Sequence, residues 1–230
     1  MKRSKINQLI AEAKALFVSV GFKLPPFAFW TPQDWSAKGH EADEIRDNHL
    51  GWDVTDFGLG RFESCGLLLF TIRNGKYQDP QRYPKPYAEK IMVVKAEQLT
   101  PMHFHWKKRE DIINRGGGRL VLELCRSDDR EQRSEEGFSV SIDGVRRDCI
   151  AGEKVELAAG QSITLEPYIY HAFYGAKGHG TVVVGEVSAV NDDANDNRFL
   201  DPLGRFPTIE EDEKPLHLLC TEYPGEGVGS

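Results

Sequence analysis

Between residues 60 and 190 the chain breaks into short apolar runs separated by turn chemistry. That rhythm limits its fold more than any other feature. GLLLFTIRNGKYQ carries Asn74-Gly75, KIMVVKAEQLTPMHFHW stays β-rich up to Pro101, and FSVSIDGVRR contains Asp143-Gly144. LVLELCRS, SITLEPYIYHAFY and TVVVGEVSAV complete the series. Apolar runs of this length, punctuated by Asn-Gly and Asp-Gly, read as strands and hairpins. Many short strands with hardly any helix among them make a sandwich or small barrel.

The flanks differ. Ile6, Leu9, Ile10, Ala13, Phe17 and Val20 fall at helical spacing, with Gly21 where a C-cap belongs, so residues 4 to 20 read as one helix. LPPFAFWTP holds three prolines and is expected to be an extended arm over an apolar surface. After Val190 the chain turns polar and loop-like. With 230 residues against a prior of roughly 150 per domain, one elaborated domain over 1–230 is the economical expectation. It divides into an N-terminal helix and arm (1–59), a β-barrel (60–190) and a C-terminal extension (191–230).

Composition narrows the partners. A net charge of −7 argues against a broad grip on nucleic acid or anionic lipid. The basic start MKRSKINQLI lacks the apolar core and cleavage site of a secretion signal, and no run approaches the ~18 apolar residues of a membrane span. Cys65, Cys125, Cys149 and Cys220 form no Cys-x-x-Cys pair, so they read as reduced core thiols of a cytoplasmic protein.

The chemistry concentrates in PMHFHWKKREDIINRGGG. His103 and His105 alternate around Phe104, which on a strand puts both imidazoles on one face, about 6.5–7 Å apart. If the chain bulges or turns after the basic stretch, the Glu110 carboxylate returns to the same point. Two neutral imidazoles and a carboxylate form a facial set that leaves open positions on a divalent ion. The alternative is a polar barrel strand with no ion. Glu186 stands among valines, where desolvation raises a carboxyl pKa towards neutrality and suits it to be a general base. Its alternative is a structural carboxylate facing a buried Arg or Lys. Lys90 points inward to hydrogen-bond substrate or outward to solvent. Asp193 and Arg198, in NDDANDNRF, form either one wall of a substrate pocket or an Asx-stabilised turn. Glu166 reads as a supporting carboxylate.

His103-x-His105-x4-Glu110-x6-Gly117 resembles the first cupin motif, in which two His and a Glu bind a metal inside a double-stranded β-helix barrel. Glu166-Pro167-x3-His171 resembles the second, which supplies a further His. Two departures stand out. Glu97 replaces the usual Gly six positions before the first His, and the second motif is compressed, with Gly175 where an Asn is usual. The resemblance implies an all-β cupin fold with His103, His105, Glu110 and His171 as ligands.

A narrower resemblance covers most of residues 1 to 225. The PMHFHWKKREDIINRGGG, IYHAFYG and EVSAVNDDANDNRF blocks, together with the FAFWTPQDW arm, are similar to the D-lyxose isomerase family of cupin aldose–ketose isomerases. This implies conversion of D-lyxose to D-xylulose, with D-mannose and D-fructose as a second pair. It also implies a homodimer and a divalent ion, typically Mn²⁺, with Zn²⁺, Co²⁺ or Fe²⁺ as alternatives. Three neutral His, one carboxylate and such an ion sum to about +1, a charge suited to an enediolate. A non-haem Fe(II) cupin dioxygenase uses a similar ligand set, and a non-catalytic sugar-binding cupin would keep the pocket without the base. His40, His49, His179 and His217 lack ligand-like neighbours and are left structural.

Overall fold

A computed structural model describes residues 1–204 and 206–224. Arg205 and residues 225–230 of the expected C-terminal extension lie outside the described residues. Helix α1 (Arg3–Ser19) buries Ile6, Leu9, Ile10, Ala13 and Phe17. It ends where Gly21 takes φ +76°. Phe22 N–H then donates to Phe17 O at 2.8 Å and Gly21 N–H to Val18 O at 3.0 Å, the paired bonds that close a helix through a left-handed glycine.

The proline-rich arm is not fully extended. It contains a 3₁₀ turn at Pro26–Phe29 and helix α2 (Pro32–Ser36), followed by a 3₁₀ turn at His40–Ala42 and helix α3 (Asp43–Asp47). Pro26 and Pro32 sit at the start of a turn, where a missing N–H costs nothing. Thr31 and Asp34 cap α2 reciprocally.

The strands, in chain order, begin with β1 (Gly51–Thr55), β2 (Leu67–Arg73), β3 (Tyr87–Val94), β4 (Thr100–Phe104), β5 (Glu110–Gly117) and β6 (Leu120–Arg126). There follow β7 (Phe138–Ile142), β8 (Val145–Cys149), β9 (Glu153–Leu157), β10 (Ser162–Leu165), β11 (Ile169–Gly175), β12 (Val182–Ala189) and the short β13 (Arg198–Phe199). They form an eight-stranded sheet, β1-β2-β3-β12-β5-β10-β7-β8, and a five-stranded sheet, β13-β4-β11-β6-β9. All the ladders are antiparallel. The sheet thus starts nine residues before position 60 and a last strand follows position 190.

Alternation sorts the side chains into layers. Met92, Val94, Ile112, Val182 and Val184 from the large sheet meet Leu122, Leu124, Val155 and Phe173 from the small one in the central core. The intervening Ile91, Val93 and Val183 face outward and are covered by α1. On the other side Phe104, Cys125 and Tyr170 form a small outer cluster. The four cysteines are all buried and none of them is in a disulfide.

The two turn dipeptides behave differently. Asp143 and Gly144 take φ +50° and +82° between β7 and β8, the two-residue hairpin turn the sequence predicts. Asn74-Gly75 does not close a tight hairpin. It opens the long connection from Arg73 to Tyr87, because Asn74 is bonded to the remote Asn191 instead. Pro101 does not end its strand either. It lies inside β4 at an irregularity, where His103 pairs His171 and Thr100 pairs Phe173. Three steps of β4 there oppose two of β11, so Thr100 and His103 both face the interior despite their odd spacing. No helix among the described residues is long and apolar enough to cross a membrane.

Candidate metal centre and active-site cavity

One end of the space between the sheets stays open as a cavity of about 270 Å³. Met92, Ile112, Phe173 and Phe199 line its apolar side, and His103, His105, His171, Glu110, Lys108 and Glu186 its polar side. The three histidines are buried, and their ring nitrogens lie within 4.8 Å of one another. His103 comes from β4 and His171 from β11, directly opposite each other in register. His105 lies just past the end of β4.

Each of these rings is oriented the same way. Nδ1 of His103 donates to Pro101 O at 2.8 Å, that of His105 to Asp196 O at 2.6 Å, and that of His171 to Ile169 O at 3.0 Å. A carbonyl can only accept, so each ring donates from Nδ1 and turns its Nε2 towards the other two. Burial, and then the neighbouring rings of His171 and His105, hold the His103 pKa well below the ordinary value and keep that ring neutral. Glu110 Oε1 lies 3.0 Å from His171 Nε2 and 3.5 Å from His105 Nε2, is fully buried, and accepts no hydrogen bond. Three ring nitrogens therefore gather together, with a carboxylate oxygen beside two of them. The three nitrogens could hold a metal ion.

Glu110 enters from the other sheet, at the start of β5. Its second oxygen, Oε2, is 2.8 Å from Lys108 Nζ. Burial pushes this carboxyl up, but Lys108 foremost outweighs it and holds it well below the usual carboxylate range. The turn carrying Lys108 is shaped by Asp196, whose carboxylate accepts the backbone N–H groups of Lys107 and Lys108, each at 2.9 Å. Asp196 thus fixes both the His105 ring and the Lys108 approach.

Glu186 needs a correction. It shares the inner face of β12 with Val182 and Val184, as its alternation predicts, but its surroundings are not apolar. Lys108 Nζ is 2.9 Å and Lys90 Nζ 3.3 Å from Glu186 Oε1, and all three residues are at least 95 % buried. Burial raises this carboxyl, yet Lys108 and then Lys90 overcome it, so its pKa is lowered rather than raised towards neutrality. The same two carboxylates raise the Lys108 pKa against its own burial. Lys90 takes the inward of its two alternatives.

Asp193 lines the cavity with Oδ1 3.9 Å from Lys90 Nζ. Arg198, expected in the pocket wall, does not line it. On the two-residue β13, Phe199 takes the inner face against the His103 ring, at 5.3 Å between centroids. Alternation turns Arg198 to the outer face, where Nε pairs with Glu131 at 3.1 Å. Glu166 pairs with Arg109 at the surface.

Sequence reasoning missed Lys108, Asn191 and Asp196. Lys108 had a signal: Lys108, Glu110, Ile112 and Asn114 alternate, and all four are buried. Asp196 had none, because its partners are backbone groups that leave no mark in the sequence.

Over residues 1–223 the chain matches the family model described as D-lyxose isomerase. A protein of Serratia proteamaculans named D-lyxose/D-mannose isomerase is 51% identical over 224 residues, covering 97% of this chain and 98% of that one. A protein of Escherichia coli O157:H7 with the same name is 50% identical over the same shares. Among solved structures, Cellulomonas parahominis L-ribose isomerase with L-ribose superposes with a TM-score of 0.60 at 16% identity, covering 91% of this chain and 98% of that one. Geodermatophilus obscurus L-ribose isomerase gives 0.57 at 18% identity, covering 86% and 92%. At these identities the structural likeness carries the fold alone, which is all-β and cupin-type.

Proposed function

The chain belongs to the D-lyxose isomerase family, and on that premise we propose that it interconverts D-lyxose and D-xylulose by moving a proton between C1 and C2 through an enediolate. D-mannose and D-fructose are the second pair. His103, His105, Glu110 and His171 would hold a divalent ion, for which the family resemblance favours Mn²⁺; the same resemblance favours a homodimer, and the scattered thiols favour the cytoplasm. The observation that carries the reading is the gathering of His103, His105 and His171 nitrogens within 4.8 Å of one another, with Glu110 Oε1 3.0 Å and 3.5 Å from two of them.

When bound, the ion supplies a Lewis acid and a template for two adjacent sugar oxygens. The chain's own groups do the rest. Glu186 is the base: Lys90, Lys108 and Ser188 all contact its Oε1, while no described contact uses Oε2, which is left to take and return the proton. The two ammonium groups keep Glu186 ionised, and their charge favours the negative charge that develops on the sugar oxygens. Asp193 and Lys90 sit where they can bind hydroxyls further along the sugar. Phe199, Met92 and Phe173 keep the reacting carbons away from bulk water.

The test is anaerobic incubation of metal-loaded protein with a panel of aldoses, read by a ketose colour assay. Ketose from D-lyxose without oxygen uptake is the expected result. No ketose from any aldose, with metal bound, would sink the reading.

A further inference from the structure

Two ammonium groups beside one buried carboxylate present six N–H donors to two oxygens. Nothing in that pairing alone keeps one of Glu186's oxygens open. Asn191, half-buried just after β12, supplies what is missing. Its Oδ1 accepts from Lys90 Nζ at 2.6 Å and from Lys108 Nζ at 3.3 Å. Both ammonium groups are thereby held between the Asn191 amide and Glu186 Oε1. A neutral amide satisfies a donor of each without competing for its charge.

Asn191 is itself pinned. The buried Asn74 side chain accepts from Asn191 N–H at 3.0 Å and donates to Asn191 O at 2.9 Å, across 117 residues of chain. Asn74 O in turn accepts from Asn48 Nδ2 at 3.1 Å. The next residue must be glycine, since a Cβ on Gly75 would lie 1.8 Å from Lys85 O. This explains why the Asn74-Gly75 dipeptide serves no hairpin.

We propose that Asn191 is a positioning residue for the isomerisation, holding Lys90 and Lys108 to one oxygen of Glu186 so that Oε2 stays open to the substrate proton, with Asn74 fixing Asn191 in place. The inference rests on Glu186 being the base of the proposed reaction. Without the amide, the ammonium groups are free to close on both carboxylate oxygens and quench proton transfer. Substrate binding at the metal is left largely untouched.

The experiment compares Mn²⁺-loaded wild type with Asn191→Ala, Asn191→Asp, Asn74→Ala and the Asn74→Ala/Asn191→Ala double variant, on D-lyxose. Asn191→Ala is expected to lose about 10–100-fold in kcat, part of what a base is worth. Its KM should stay within about threefold, with metal content and Tm close to wild type. Asn191→Asp restores an acceptor of the same shape but competes with Glu186 for the ammonium charge, so it recovers only part of the kcat. Asn74→Ala shows the same kcat loss in smaller measure, and the double variant is no worse than Asn191→Ala, because both act through one oxygen. Wild-type kcat in Asn191→Ala overturns the inference. So does a kcat loss that tracks lost metal or lowered Tm, or losses that add in the double variant. A wild type that turns over no aldose overturns the isomerase reading first and this inference with it.

Discussion

Lys108 Nζ stands 2.8 Å from Glu110 Oε2, so a cation seated between the sheets would share a carboxylate with a buried ammonium. The same nitrogen is 2.9 Å from Glu186 Oε1. One side chain therefore couples the candidate ligand to the candidate base. Removing it takes the ammonium partner from Glu110 Oε2 and leaves Glu186 with Lys90 alone. Lys108→Met is expected to destabilise the metal-free protein by about 3–5 kcal/mol, the usual effect of breaking a buried ion pair. Urea unfolding in EDTA measures it, and a loss under about 1 kcal/mol would contradict the buried pairing.

His103→Ala, Glu110→Ala and His171→Ala should each lose bound metal as well as activity. Losing a direct ligand weakens an ion's hold by more than the ~10–100-fold of a supporting contact. Elemental analysis after desalting is the readout. Full occupancy in Glu110→Ala would remove Glu110 from the ligand set. EDTA-treated wild type should keep its β-sheet circular dichroism, because the core between the sheets does not depend on an ion.

Glu186→Gln keeps the shape of the side chain but cannot accept a proton. Metal should stay bound while isomerisation falls roughly 10²–10⁴-fold. Near-normal turnover would transfer the role to another group, with Asp193 next in line. In D₂O the wild-type product should carry some deuterium at C1 or C2.

Stability should respond to acid in two stages. His103 has its pKa lowered from 6.5, so the unfolded chain takes up a proton that the folded one refuses, and stability starts to fall as pH drops below about 6.5. Glu110 and Glu186 are lowered from 4.5, so their contribution is complete above that value and is lost as pH falls below it. Melting of the metal-free protein from pH 8 to pH 3 should show a gentle decline followed by a steep one. A stability maximum near pH 5 would contradict a neutral, buried His103.

The histidine pair, Glu110 and the all-β class were legible because they follow local rules: alternation along strands, and turn residues between them. His171 and the fold family came from resemblance rather than spacing. Illegible were the contacts that only tertiary closure makes. Glu186 seemed desolvated and alone because its neighbours in sequence are valines, whereas its partners Lys90 and Lys108 arrive from β3 and the turn before β5. Arg198 stands one residue from the inward Phe199, and on a strand that single step sends the side chain to the opposite face. The prolines of the arm signalled the absence of a long helix, not the short capped turns they initiate.

The four converging side chains do not belong to one ladder. Glu110 rides on the eight-stranded sheet, while His103 and His171 ride on the five-stranded one. An ion held by all of them would clasp the two leaves together across the cavity. Any breathing motion that separates the leaves would then have to break coordinate bonds. Amide hydrogens of β4, β5 and β11 should exchange with solvent more slowly on loading, and in concert, although β5 shares no rung with the other two.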